Sequence, residues 1–243
     1  MLRSANPALR PNVFKKAGYV SSGAMSIQGV VNKTGFLLLL AVFSASWVWA
    51  KYGLQNLGGY ITLGAIAGFI TALVTIFKKE WAYITAPLYA LFEGLFLGGI
   101  SAVFEARYPG IVIQAVSLTF GVMFAMLFAY KSKIIKPTEN FKLGLFAATG
   151  GIVLVYFLSI VLGFFGLHIP FIFSSGPLGI GFSIFVVIIA ALNLVMDFDF
   201  IEEGSRLGAP KYMEWYASFG LMVTLIWLYI EILRLLAKLQ ERR

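Results

Sequence analysis

The chain has 243 residues, of which 60% are hydrophobic, 16% aromatic and only 12% charged, and its mean hydropathy is +0.87. A soluble domain carries about 25% charged residues, so this composition excludes an ordinary cytoplasmic enzyme, a disordered chain and a nucleic-acid-binding domain. The absence of cysteine removes disulfide, thiolate and iron–sulfur chemistry, and the lone His168 cannot build a histidine metal cluster. What remains is an all-α polytopic membrane protein.

A span needs about 20 apolar residues, and seven segments qualify: roughly 34–50, 58–77, 86–104, 111–130, 142–166, 178–200 and 214–238. Residues 1–33 read as a cytoplasmic arm, too polar to be a cleaved signal, and 34–243 as the seven-helix domain. Pro87 falls at a first-turn position of the third span. The fifth span is long enough to tilt or to bend around Gly150 and Gly151. The segment LHIPFIFSSGPLG that follows reads as a turn dipping into the interface, with His168 as a surface residue. Trp47, Trp49, Trp81, Trp215 and Trp227 fall mostly near span ends, as in an interfacial belt.

The net charge of +8 is spread between apolar blocks, so it sets topology and gives no nucleic-acid patch. Thirteen of the 19 Lys and Arg residues fall on the side that holds the N-terminus and six on the other. The N-terminus is therefore expected in the cytoplasm. Seven spans then put the basic C-terminal tail outside, against that rule. A last segment that re-enters and returns would resolve the conflict, but its length favours a full span.

Ionisable groups at a span centre cost about 2.5–3.5 kcal/mol each, so each place that has them is a candidate site. Glu93 lies in the third span, just before the G-x-x-x-G pair Gly94 and Gly98. Small residues there admit a neighbouring backbone and turn Glu93 toward protein. It reads either as a helix–helix hydrogen bond or as part of an ion path. The stretch NLVMDFDFIEEG holds Asp197, Asp199, Glu202 and Glu203, with Asn193 one turn before Asp197. Crowded carboxylates repel, which makes this a candidate proton sensor or an oxygen-ligand site for Ca2+ at Asp197 and Asp199. The plainer alternative is a solvated helix end, above all for Glu202 and Glu203. Glu231 in the seventh span has Arg234 at ion-pair spacing. It either pairs locally, with Arg234 snorkelling outward, or meets a sixth-span carboxylate in a proton-sharing latch.

No phosphate-binding loop, HExxH or GxSxG motif occurs, so catalysis and a bound cofactor are not expected. On the segments MSIQGVVNKTGFLLLL, APLYALFEGLFLGGISAVFE, NLVMDFDFIEEG and GAPKYMEWYASFGLMVTLIWLYIEILRLLAKL, the chain resembles the Bax inhibitor-1 family, also called the transmembrane Bax inhibitor motif family. It looks most like the bacterial, YccA-like branch. The resemblance implies a seven-helix bundle with the last helix central. It also implies a pH-sensitive Ca2+ leak gated by one Asp in the sixth helix and one in the seventh. The family's Asp-Thr-Gln position corresponds to Asp197 or Asp199. Its Leu-Tyr-Leu-Asp position corresponds to Glu231, or to Trp227 in another register, and this chain has Glu for Asp and a longer connecting loop. Some relatives modulate membrane proteases, which would make the arm a contact surface, together with the loop carrying Tyr212, Glu214 and Trp215. The functional expectation is thus an ion leak of Ca2+ or H+. The competing one is a non-conducting regulator that binds a membrane protease. In a bacterium either would reside in the inner membrane.

Overall fold

The computed structural model describes residues 23–51, 57–167 and 170–242. The first 22 residues of the arm, His168 and the tail residue Arg243 therefore lie outside the described residues. Among the described residues, seven helices are long and apolar enough to cross a membrane. They are α1 Ile27–Ala50, α2 Leu57–Phe77, α3 Ala82–Arg107, α4 Ile111–Lys131, α5 Glu139–Phe164, α6 Pro177–Arg206 and α7 Met213–Glu241. The described residues contain no strand. A one-turn helix, Pro170–Phe173, occupies the segment expected as a turn before α6.

Several boundaries move, each for a local reason. Helix α1 starts at Ile27, ahead of the expected 34, because the Ser26 hydroxyl accepts the Gly29 N–H at 3.0 Å and caps it. A 3-10 turn at Lys79–Trp81 leads into α3, which places Pro87 inside that helix and not in its first turn. The missing N–H leaves the Tyr83 carbonyl without its helical partner. Helix α6 continues through the acidic cluster to Arg206, well past the expected 200. It stops at Gly208, whose φ of +64° suits a residue without Cβ. There Gly208 N–H donates to Ser205 O and Ala209 N–H to Gly204 O, a Schellman end. Helix α5 ends with the same pair of bonds, Gly166 N–H donating to Gly163 O and Leu167 N–H to Leu162 O.

The chain divides into two compact units. One holds residues 110–198 and 224–242, and the other 23–109 and 199–223. In the first, α5 packs on α6 through Leu145, Ile152, Val186, Ile189 and Met196, with Phe141, Ala148, Tyr156, Phe182 and Trp227 around them. On α5 these residues recur every three or four positions, which keeps them on one face. The opposite face carries Phe146, Val153, Leu154, Phe157 and Ile160, all exposed. An apolar exterior of this extent suits hydrocarbon and not water.

In the second unit, α3 packs against both α1 and α2. Lipid tails are as apolar as Leu, so close backbone contact rather than hydrophobicity drives such association. The G-x-x-x-G expectation holds in this form. A Cβ added at Gly94 would lie 2.5 Å from Ala41 O, and one at Gly98 would lie 2.6 Å from Ala45 O. Gly94→Ala is therefore expected to destabilise by about 1–3 kcal/mol through overpacking. Gly121→Ala, with nothing within 4 Å of its Cβ, should cost nothing. Thermal unfolding of the two purified variants separates these outcomes.

The last helix is the most enclosed. In α7, 67% of the apolar window is buried, against 56% in α6 and 11% in α5. Trp227 sits mid-helix against the α5–α6 core, and so departs from the interfacial belt expected of it.

Candidate functional site

The first unit contains a column of polar side chains. On α7, Thr224, Trp227, Glu231, Arg234 and Lys238 follow one another at steps of three or four, which places them on one face. That face meets polar groups of α5 and α6. Asn193 donates to Thr149 Oγ1 at 3.0 Å and to Ile189 O at 2.8 Å. Asp197, one turn on, faces the Thr224 hydroxyl. Tyr156, seven residues beyond Thr149 on α5, shares its hydroxyl proton between both Glu231 oxygens at 3.1 Å. Arg234 reaches Glu231 Oε1 at 3.4 Å, and its guanidinium lies 5.6 Å from the centre of the Tyr156 ring. The column ends at Lys238, whose ammonium donates to Ile172 O, Gly179 O and Ser183 Oγ.

Asp197 stands apart within this column. Its side chain is 1% exposed, and neither carboxyl oxygen makes a hydrogen bond of full geometry. Leaving a buried polar group unsatisfied costs about 1–3 kcal/mol, and more when it is charged. Asn193, 3% exposed, and Glu231, 2% exposed, are equally dry but satisfied.

The sequence expectations divide accordingly. Glu231 faces the protein interior and makes the local ion pair with Arg234, the first of its two alternatives. Arg234 leans over Tyr156 and is only half-exposed. The proton-sharing latch does not form. The hydrogen bonds of Glu231 go to Tyr156 of α5 and to Trp227 and Arg234 of its own helix, while Asp197 sits level with Thr224, seven residues back and roughly 10 Å lower along the axis at 1.5 Å per residue. Nor do Asp197 and Asp199 make one Ca2+ cage. Two residues on an α-helix point about 200° apart, so Asp197 is buried and Asp199 half-buried. Among the described residues, no three acidic or histidine side chains converge on a metal position.

Asp199, Glu202, Glu203 and Glu93 belong to the second unit. Glu202 is exposed, whereas Glu203 is half-buried and holds Arg206 through bonds of 2.7 and 2.9 Å. Glu93 is hydrogen-bonded to Tyr89, one turn back on α3, and its carboxyl lies against Gly68 of α2.

Sequence reasoning missed Tyr156, Thr149 and Thr224, uncharged groups in apolar runs. Lys238 could have been found, because it continues the three–four spacing from Glu231 and Arg234. Glu214 was expected on a partner-facing loop, yet it is fully buried in the first turn of α7. It accepts Ser26 N–H and Ser26 Oγ at 2.9 Å, Lys211 at 2.7 Å, and Lys33. In the loop before it, burial with Glu80 nearby pushes the Tyr212 hydroxyl pKa up.

Seven hydrocarbon-length helices with ionisable groups inside them define a multi-pass integral membrane protein. The family described as Bax inhibitor 1 like matches residues 6–241, and the chain belongs to it. No curated protein and no solved structure matches the chain.

Proposed function

We propose that this protein is a pH-sensitive ion leak, passing Ca2+ or H+ along the polar column of α5, α6 and α7, with the protonation state of Asp197 as its gate. The observation that supports this is a buried carboxyl in the sixth helix that faces only the Thr224 hydroxyl and makes no hydrogen bond of full geometry. Packed as it is, Asp197 accommodates a neutral acid. Ionised, it must draw in water or a cation, and the hydrated gap so opened is a path. Protonation closes the packing again, so flux rises with pH. Glu231 and Arg234, neutralising each other beside Tyr156, line the next stretch. Catalysis and a resident cofactor play no part, since Ca2+ enters only as cargo. The protein would reside in a bacterial inner membrane, N-terminus inside, with lipid as its constant partner.

The test is reconstitution into liposomes loaded with a calcium dye, and separately with a proton dye, at two pH values. Flux above that of empty liposomes and greater at higher pH is expected. Flux at background for both dyes overturns the proposal.

Background flux would favour the alternative, a non-conducting regulator of a membrane protease. Its specific support is the anchoring of residues 24–26 of the arm, just before α1. Ala24 bridges Pro210, Met25 N–H donates to Ala209 O at 2.7 Å, and Ser26 is held by Glu214. Deleting positions 1–20 would then abolish co-purification of the partner.

A further inference from the structure

The amine of Lys238 occupies a seat whose chemistry is that of a cation site. Three neutral oxygens converge on it: Ile172 O at 2.6 Å, Gly179 O at 3.0 Å and Ser183 Oγ at 2.8 Å. They come from three places in the chain, namely the one-turn helix Pro170–Phe173, the first turn of α6 and the second turn of α6. Ser183 is 3% exposed and Ile172 2% exposed, so the cage is built into protein. An ammonium has three N–H donors and no acceptor. Three acceptors therefore satisfy it completely, and the seat contains no carboxylate.

Lysines that snorkel carry their charge out to water, and those that form ion pairs seek an acid. Lys238 instead donates to three neutral protein oxygens. The acids near it on α7 are Glu241, three residues on, which accepts the Ser175 hydroxyl at 3.0 Å, and Glu231, two turns back, which is engaged by Tyr156 and Arg234. Oxygens of carbonyl and hydroxyl type are the ligands that hard cations take in place of their hydration shell.

We propose that the carbonyls of Ile172 and Gly179 with the Ser183 hydroxyl form a monovalent-cation site of ammonium size, and that Lys238 is its tethered occupant, plugging the end of the polar column. The site stands on its own geometry, whereas the plugging role rests on the column being an ion path. With the tether cut, the seat becomes available to a free primary ammonium, the chemical class of the missing side-chain end.

Lys238→Ala removes the equivalent of n-propylammonium beyond Cβ, so that ion is the probe. Thermal unfolding of the purified variant is followed while n-propylammonium chloride is added, with tetramethylammonium chloride, which has no N–H donor, at equal ionic strength. A rise of roughly 5 °C at saturation with the first salt only, and none for the unaltered protein, is expected. Equal responses to both salts, or none to either, overturn the site. If the alanine variant does not fold, Lys238→Met keeps the stem packing and Ser183→Ala is tested beside it. Both must then lose stability relative to the unaltered protein, and an unchanged unfolding temperature in both overturns the site. The plug is read separately as potassium flux from liposomes. Lys238→Met raises it at least about tenfold, since an uncompensated barrier of 1.4 kcal/mol is worth that factor. A site that passes the thermal test with flux unchanged refutes the plug and leaves the cage. A protein inactive for Ca2+ and H+ whose variant still binds propylammonium refutes the leak and leaves the cage as well.

Discussion

Asparagine at both positions 197 and 199 makes ion flux through reconstituted liposomes the same at every pH. Asn has nearly the volume of a neutral Asp and cannot ionise, so the packed arrangement around Thr224 and Asn193 survives while the gate loses its proton. In the unaltered protein, a one-proton gate changes its open fraction by up to about tenfold per pH unit on the side where the closed form dominates. The sign follows from burial. On the proposed mechanism, the neutral acid fits the buried site at low pH and flux is expected to be small, and as pH rises ionisation demands hydration and flux is expected to grow. Asp197→Asn alone should flatten nearly all of the profile. Asp199→Asn alone should leave it, because Asp199 is half-buried and points away around the helix. A double variant that keeps the original profile puts the gate elsewhere, with Glu231 next to be replaced.

Glu214→Ala costs about 3 kcal/mol of stability, the lower end of the range for removing one partner of a buried ion pair. The side chain is 0% exposed, and its two ammonium partners are partly exposed, Lys33 at 20% and Lys211 at 50%. The loss goes beyond charge. Ser26 surrenders two hydrogen bonds to the carboxylate, and Ser26 is the cap of α1. Helix α1 is thereby freed at its first turn, and the Ala24–Pro210 bridge with it. The check is unfolding temperature together with protease cleavage around residues 23–26. Lys211→Ala, which removes the more exposed partner, should cost less than about 1 kcal/mol. An alanine at 214 that unfolds at the original temperature would show that the clamp is ornamental to stability.

The seven spans were legible because hydrocarbon thickness imposes a length and an apolar content on each segment, independent of what it packs against. Their ends were not, because caps decide them. Ser26 starts α1 before its apolar run begins, and Gly208 lets α6 run on through Asp199 and Glu203. The enclosure of Asp197 and Glu231 within protein was also legible, since a charge inside an apolar run has no cheap explanation. Their partners were another matter. Tyr156 looks like any aromatic in a lipid-facing helix until α5 is turned toward α7, and Glu214 looks like surface until Ser26 and Lys33 are folded onto it.

The sequence by itself determined that the chain spans a membrane seven times and which carboxyls it takes with it, because both follow from the cost of placing each residue in hydrocarbon. Only the tertiary structure decided what each carboxyl meets: Thr224 for Asp197, Tyr156 and Arg234 for Glu231, Ser26 and two lysines for Glu214. Those pairings depend on the rotation of each helix about its axis and the register between neighbours. Both are set by contacts between residues far apart in the chain, such as Gly94 against Ala41.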